Sequence, residues 1–265
     1  MFTQLPIVGL GGLGGSGTRL PAQILAAAGV HMGPCQNSSA DDLYFTALLK
    51  HPHLLNAKNQ SELSEQINLY FKLRAGHRLS IAEFIKVRKA FKSLQHPRLK
   101  TPSWFNCLID APKQLPWGFK EPNAHFFIES LFNHIPHFKY LHILRNGRYM
   151  ANSQNTAQLR NFGFLYPHLE NLSNPIDKQF AFWFEANSAA IKRCENGFKS
   201  RCLVMKYEDF IHQPEESIKK MLAFCELSAP LQPLLGIIRQ SQSNHNKGFA
   251  PNAEQMAQLN ALGYE

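Results

Sequence analysis

The residues best equipped for chemistry lie between Gly14 and Arg19. The apolar run Leu5-Pro6-Ile7-Val8-Gly9-Leu10 comes first, then Gly14-Gly15-Ser16-Gly17-Thr18-Arg19, then a helix-like stretch to Ala28. That order reads strand, tight loop, helix. The amides of such a loop converge on one point, and the helix start adds the positive end of its dipole. Glycines permit φ > 0 and let an anion approach the backbone. Ser16 and Thr18 add hydroxyl donors and Arg19 adds charge. A phosphate or sulfate group is the natural occupant.

Two familiar anion loops fit poorly. A nucleotide-triphosphate loop requires G-x-x-x-x-G-K-[ST]. Gly12 to Gly17 has the glycine spacing, but Thr18 replaces the lysine that reaches the β/γ-phosphates. The dinucleotide pattern G-x-G-x-x-G occurs at Gly9–Gly14 and again at Gly12–Gly17. However, no ribose-binding acid follows near Val30-His31-Met32-Gly33, and Asp41 comes too late.

A third loop fits better. Gly15-Ser16-Gly17-Thr18-Arg19 resembles the 5′-phosphosulfate loop of sulfotransferases, with Gly15 where many members carry lysine or arginine. The β-like Tyr140–Leu144 is followed by Arg145 and, eight residues on, Ser153. This resembles the family's 3′-phosphate motif, with the serine expected on the following helix. Gly118-Phe119-Lys120-Glu121-Pro122 resembles the strand-end lysine before the substrate cleft, and Lys206-Tyr207-Glu208-Asp209-Phe210 the segment near the nucleotide base. The resemblance implies 3′-phosphoadenosine 5′-phosphosulfate as donor and adenosine 3′,5′-bisphosphate as product. The site residues it implies are Gly15, Ser16, Gly17, Thr18, Arg19, Arg145, Ser153 and Tyr207, with Lys247 on a late basic loop. A binding module without chemistry and a phosphate-transferring enzyme are the alternatives.

Sulfuryl transfer is an in-line displacement, dominated by positioning and charge stabilisation. Lys120 is the expected cation on the sulfuryl or bridging oxygen, sharing with Arg19 the load that Gly15 gives up. The acceptor proton needs a base. Asp41 and Asp42 are placed ahead of Glu121, and Glu121 ahead of His125; Pro122 occupies the position where a histidine base is often found. Asp41 also reads as a helix N-cap.

These residues need a frame. Strands near 5–10, 117–120, 140–144 and 202–206 alternate with helical patterns at 19–28, 123–134, 147–160 and 177–194, and from Glu215. Alternation of this kind predicts an α/β fold with a mainly parallel central sheet and helices on both faces. The resemblance adds the P-loop-like sulfotransferase architecture. One domain over residues 1–265 is expected, with a mostly helical lid or acceptor wall at about 40–115. Within it, Ser61–Arg74 and Ser80–Leu94 carry helical apolar spacing, and Ser80 with Glu83 forms a capping box.

Bulk properties set the remaining bounds. The chain has 265 residues, 44% of them hydrophobic, and a net charge of +9. Seven Lys/Arg and one acid, Glu83, lie between Arg78 and Lys100. This excess suits an anionic acceptor. No helix-turn-helix, zinc-finger or RNP-type motif supports nucleic-acid binding. No apolar run reaches membrane-span length, and no cationic leader precedes the first strand, so a cytoplasmic protein is expected. Five cysteines without C-x-x-C suggest reduced thiols. Twelve histidines without H-E-x-x-H or paired Cys/His spacing suggest no metal site.

Overall fold

Buried strands with apolar side chains on both sides build the centre of the molecule. The computed structural model describes residues 6–94, 116–135, 137–240 and 249–265. Strands β1 (Ile7–Gly12), β2 (Trp117–Lys120), β3 (Phe138–Leu144) and β4 (Cys202–Lys206) form one parallel sheet in the order β2-β1-β3-β4. Successive side chains face opposite sides. Ile7, Phe119, Phe138 and Tyr140 join one apolar cluster; Val8, Leu10, Leu141 and Ile143 join a second.

Helices cover both faces. On the first lie α2 (Leu43–Leu48), α3 (Gln60–Arg74), α4 (Ile81–Ser93), α5 (Ile128–His134) and α8 (Pro175–Glu195). On the second lie α1 (Arg19–Ala27), α10 (Pro214–Phe224) and α11 (Leu231–Gln240). The short α6 (Gly147–Ala151), α7 (Ala157–Phe162) and α9 (Tyr207–His212) follow the strands, and α12 (Ala253–Ala261) comes last. The doubly covered parallel sheet is the expected fold class, and the Ser80–Glu83 capping box is formed at α4.

Three expectations need correction. The helix read over 147–160 breaks after Ala151. Ser153 Oγ accepts the Asn155 amide at 3.2 Å and Asn155 Oδ1 accepts the Ala157 amide at 3.4 Å. These side chains compete with helical bonds, so Ser153 lies on a turn. The stretch 123–134 begins as a 3₁₀ turn, Pro122–Phe126, before α5. The cysteines are not all reduced: Cys194 at the end of α8 and Cys202 at the start of β4 form a disulfide with Cα atoms 5.5 Å apart. The packing of helix against strand creates this proximity, which spacing alone hides. A structural disulfide is uncommon in a reducing compartment, so cysteine usage no longer supports a cytoplasmic location. Cys35 and Cys225 are both buried.

Candidate active site

All four strands end on one edge, where parallel α/β sheets place their ligands. β1 delivers the loop 13–18 and β2 delivers Lys120. Arg145 follows β3, and Tyr207 follows β4.

The loop depends on glycine geometry. Gly15 and Gly17 have φ of +97° and +84°, values open to glycine and strained for other residues. A side chain at Gly17 would also overlap the ring of Tyr207. The Ser16 amide donates to Leu13 O at 2.9 Å and the Gly14 amide to Gln158 Oε1. Among the described residues, none accepts from the amides of Gly15, Gly17, Thr18 or Arg19. A pocket of about 340 Å³ opens beside them, lined by Gly14, Gly15, Gly17, Thr18, Arg19, Gln23, Ser39, Asp41, Lys120, Pro122, Asn155 and Tyr207, among others. The Ser16 hydroxyl is buried beside Gly12, has no partner among the described residues and does not line the pocket. The backbone, rather than this hydroxyl, faces the cleft.

Lys120 and Asp41 meet on the opposite wall. Lys120 is 4% exposed; its ammonium donates to Ser39 O at 3.0 Å and to Asp41 Oδ1. Asp41 is held in place from behind. Asn37 Oδ1 accepts the amides of Ser39 and Asp41 at 2.8 and 2.9 Å, and Asn37 Nδ2 donates to Asp41 Oδ2 at 2.8 Å. Between them Ala40 takes φ +63°, a strained value for a residue with a Cβ. Arg19 is exposed, and its Nη2 donates to Ser39 Oγ at 3.2 Å.

The other base candidates are placed elsewhere. Asp42, not Asp41, caps a helix: its Oδ1 accepts the Tyr44 and Phe45 amides at 2.8 and 3.0 Å. Its Oδ2 accepts the Tyr70 hydroxyl at 3.0 Å and lies 3.4 Å from Arg74 Nε. Burial pushes its carboxyl above the ordinary value, against the pull of Arg74. With both oxygens taken and no face on the pocket, Asp42 is a fold residue. Glu121 is fully buried and bonded to Thr46 and Asn123. His125 is fully buried with Nδ1 on Pro122 O at 2.8 Å. Burial and the neighbouring His142 hold it well below its usual value. Neither lines the pocket.

Arg145 Nη1 donates to Gly15 O at 2.9 Å, and its guanidinium lies 4.9 Å from the centre of the Tyr207 ring. Trp183 Nε1 donates to Arg145 O at 3.0 Å and Glu208 Oε1 accepts the Asn146 amide at 2.9 Å. Ser153 Oγ lies 3.6 Å from where a Cβ on Gly15 would stand. Arg145, Ser153, Tyr207 and the loop therefore converge. Lys247, Arg98 and Lys100 lie outside the described residues. Arg88, Lys89 and Lys92 are exposed on α4 and do not line the pocket.

Gln158, Asn155, Asn123 and Trp183 bear on the site without a sequence signal. Trp183 reads as core, which it also is. Gln158 reaches the loop from α7, where its Oε1 accepts the Gly14 amide. Among the described residues no cluster of His, Cys, Asp and Glu could hold a metal, and no helix is long and apolar enough to cross a membrane.

Comparison with known proteins gives a family and a fold. Residues 6–231 match the family model described as "Sulfotransferase family". The sulfotransferase domain of the olefin synthase of Synechococcus PCC 7002 superposes with a TM-score of 0.50 at 14% identity, covering 100% of this chain and 98% of that one. The sulfotransferase domain from the curacin biosynthetic pathway gives 0.51 at 13% identity, with 99% of each chain covered. At such identities these likenesses speak for the fold alone. A search of curated proteins finds no match.

Proposed function

Because the chain belongs to the sulfotransferase family, we propose that it moves a sulfuryl group from 3′-phosphoadenosine 5′-phosphosulfate to a hydroxyl or amine. The acceptor class is a small molecule, carbohydrate or lipid, anionic ones included. The observation that carries this reading is the cradle of unbonded amides at Gly15, Gly17, Thr18 and Arg19, facing Lys120 and Asp41 across one pocket.

In this reading the amides and the Thr18 hydroxyl hold the 5′-phosphosulfate. Arg145 and Ser153 hold the 3′-phosphate, with Tyr207 beside the nucleoside. Lys247 is assigned to the same phosphate by resemblance alone. Gly15 cannot supply the cation that many family members carry there. Its φ of +97° and the bond from Arg145 to its carbonyl suit glycine. Arg19, which donates to Ser39 Oγ, turns toward the sulfuryl oxygens instead.

The acceptor oxygen or nitrogen attacks sulfur in line. A new bond to sulfur forms as the bond from sulfur to the bridging oxygen breaks, and the electron pair leaves on the 5′-phosphate of adenosine 3′,5′-bisphosphate. Lys120 moves from Asp41 to that oxygen as charge develops there. Asp41, relieved of its cation beside the attacking group, takes the acceptor proton. The resting ion pair thus separates into the two halves of the catalyst.

The test is thermal stabilisation by adenosine 3′,5′-bisphosphate, ATP and NAD, measured separately. At about 100 times Kd the bisphosphate adds about 2.7 kcal/mol, and the others much less. No stabilisation by the bisphosphate refutes the reading. Stabilisation without consumption of labelled donor, across a panel of hydroxyl and amine acceptors, makes the protein a binding module.

A further inference from the structure

Glu121 adjoins Lys120 yet takes no part in the pocket, and its bonds lead somewhere unexpected. Its Oε1 accepts Asn123 Nδ2 at 2.5 Å and the Asn123 amide at 3.2 Å, and lies 3.1 Å from Lys50 Nζ. Its Oε2 accepts the Thr46 hydroxyl at 2.9 Å. Asn123 Oδ1 then accepts Gln158 Nε2 at 2.9 Å, and Gln158 Oε1 accepts the amide of Gly14. Glu121, Asn123 and Gln158 are 0%, 2% and 8% exposed. The chain runs from α2, through the 3₁₀ turn and α7, into the anion loop.

We infer that Asn123 and Gln158 are positioning residues that hold the cradle open before the donor arrives. Each amide side chain uses its carbonyl on one neighbour and its NH₂ on the next, so the direction of the chain is set at the Glu121 carboxylate. That carboxylate accepts only. It orients Asn123, Asn123 orients Gln158, and the carbonyl of Gln158 is left to take the Gly14 amide. A glycine-rich loop is otherwise free to turn its amides onto its own carbonyls. Pinning Gly14 from behind leaves the amides from Gly15 onward aimed at the pocket. Ordering is thereby spent in folding rather than at each binding event. Buried polar networks specify geometry in this way when every member is satisfied, and this one also gives the buried Glu121 carboxylate a function other than proton transfer.

The inference rests on the reading that the 5′-phosphosulfate occupies the cradle, but its first test needs no donor. Amide hydrogen exchange of the unliganded wild-type protein is expected to show Gly14 protected and Gly15, Gly17 and Thr18 exchanging freely. Adding adenosine 3′,5′-bisphosphate then protects those three. Gly14 exchanging as fast as Gly15 overturns the inference. The second test is Gln158→Met, which keeps the volume and removes both bonds. Affinities for adenosine 5′-phosphate and adenosine 3′,5′-bisphosphate each fall about fivefold, the worth of one neutral hydrogen bond. The ratio between them and the affinity for adenosine 3′-phosphate stay unchanged. Unchanged 5′-phosphate affinity in a folded variant, or equal loss for all three nucleotides, also overturns it. If the wild type binds none of them, the proposed function fails while the exchange pattern still decides the relay.

Discussion

Replacing Arg145 by alanine separates the two ends of the donor. Its guanidinium does two things in the structure: it bonds Gly15 O at 2.9 Å and lies over the Tyr207 ring at 4.9 Å. In the proposed complex it also bonds the 3′-phosphate. The Gly15 bond steadies the loop and is felt by any ligand with a 5′-phosphate, at about 1 kcal/mol or fivefold. The 3′-phosphate contact is charged on both sides, worth about 1.5–3 kcal/mol, or about 10- to 150-fold at 1.36 kcal/mol per decade. Arg145→Ala is therefore expected to weaken adenosine 5′-phosphate about fivefold. It should weaken adenosine 3′,5′-bisphosphate by about 50-fold or more, the two effects multiplying. Isothermal titration calorimetry with both nucleotides reads the difference. Arg145→Lys keeps the charge but not the planar fork, and recovers only part of the loss. Equal losses for the two nucleotides would show that Arg145 acts through the loop alone, and the 3′-phosphate assignment would be wrong.

Three further outcomes are expected. Asp41→Asn lowers kcat at least a hundredfold without weakening bisphosphate binding, whereas Asp42→Asn leaves Arg74 short of its buried partner and costs about 3–5 kcal/mol in denaturant unfolding; the reverse pattern exchanges their roles. Burial holds His142 down at about 4 from 6.5, so the unfolded chain binds the extra proton between those values; stability is full above pH 6.5 and falls toward pH 4 by about 3 kcal/mol. A His142→Gln variant with the same acid limb in urea titrations removes His142 as its source. Tyr264→Phe deletes the bond of 3.2 Å to Glu208, whose other oxygen holds the Asn146 amide beside Arg145. It weakens the bisphosphate about threefold and adenosine 5′-phosphate not at all, and calorimetry showing no change in either would leave Tyr264 as packing only.

What was legible in the residues was local. The strand–loop–helix order around 14–19 declared itself because its glycine and hydroxyl residues fall in one uninterrupted run ahead of a helix. Arg145, Lys120 and Tyr207 were legible because each adjoins an apolar run that reads as a strand end, and parallel strands bring their ends to one edge. The fold class followed from the same alternation. Tertiary packing alone decided which carboxylate meets Lys120. Asp41 and Asp42 are neighbours in sequence with the same side chain, but α3 brings Tyr70 and Arg74 against Asp42 while Asn37 turns Asp41 toward the lysine. It also decided that Glu121, Asn123 and Gln158 form a chain to Gly14, and that Cys194 and Cys202 meet. These contacts join residues from elements distant in sequence or with no shared periodicity. Their free energy comes from burial and pairing in the assembled fold, which no run of neighbouring residues encodes.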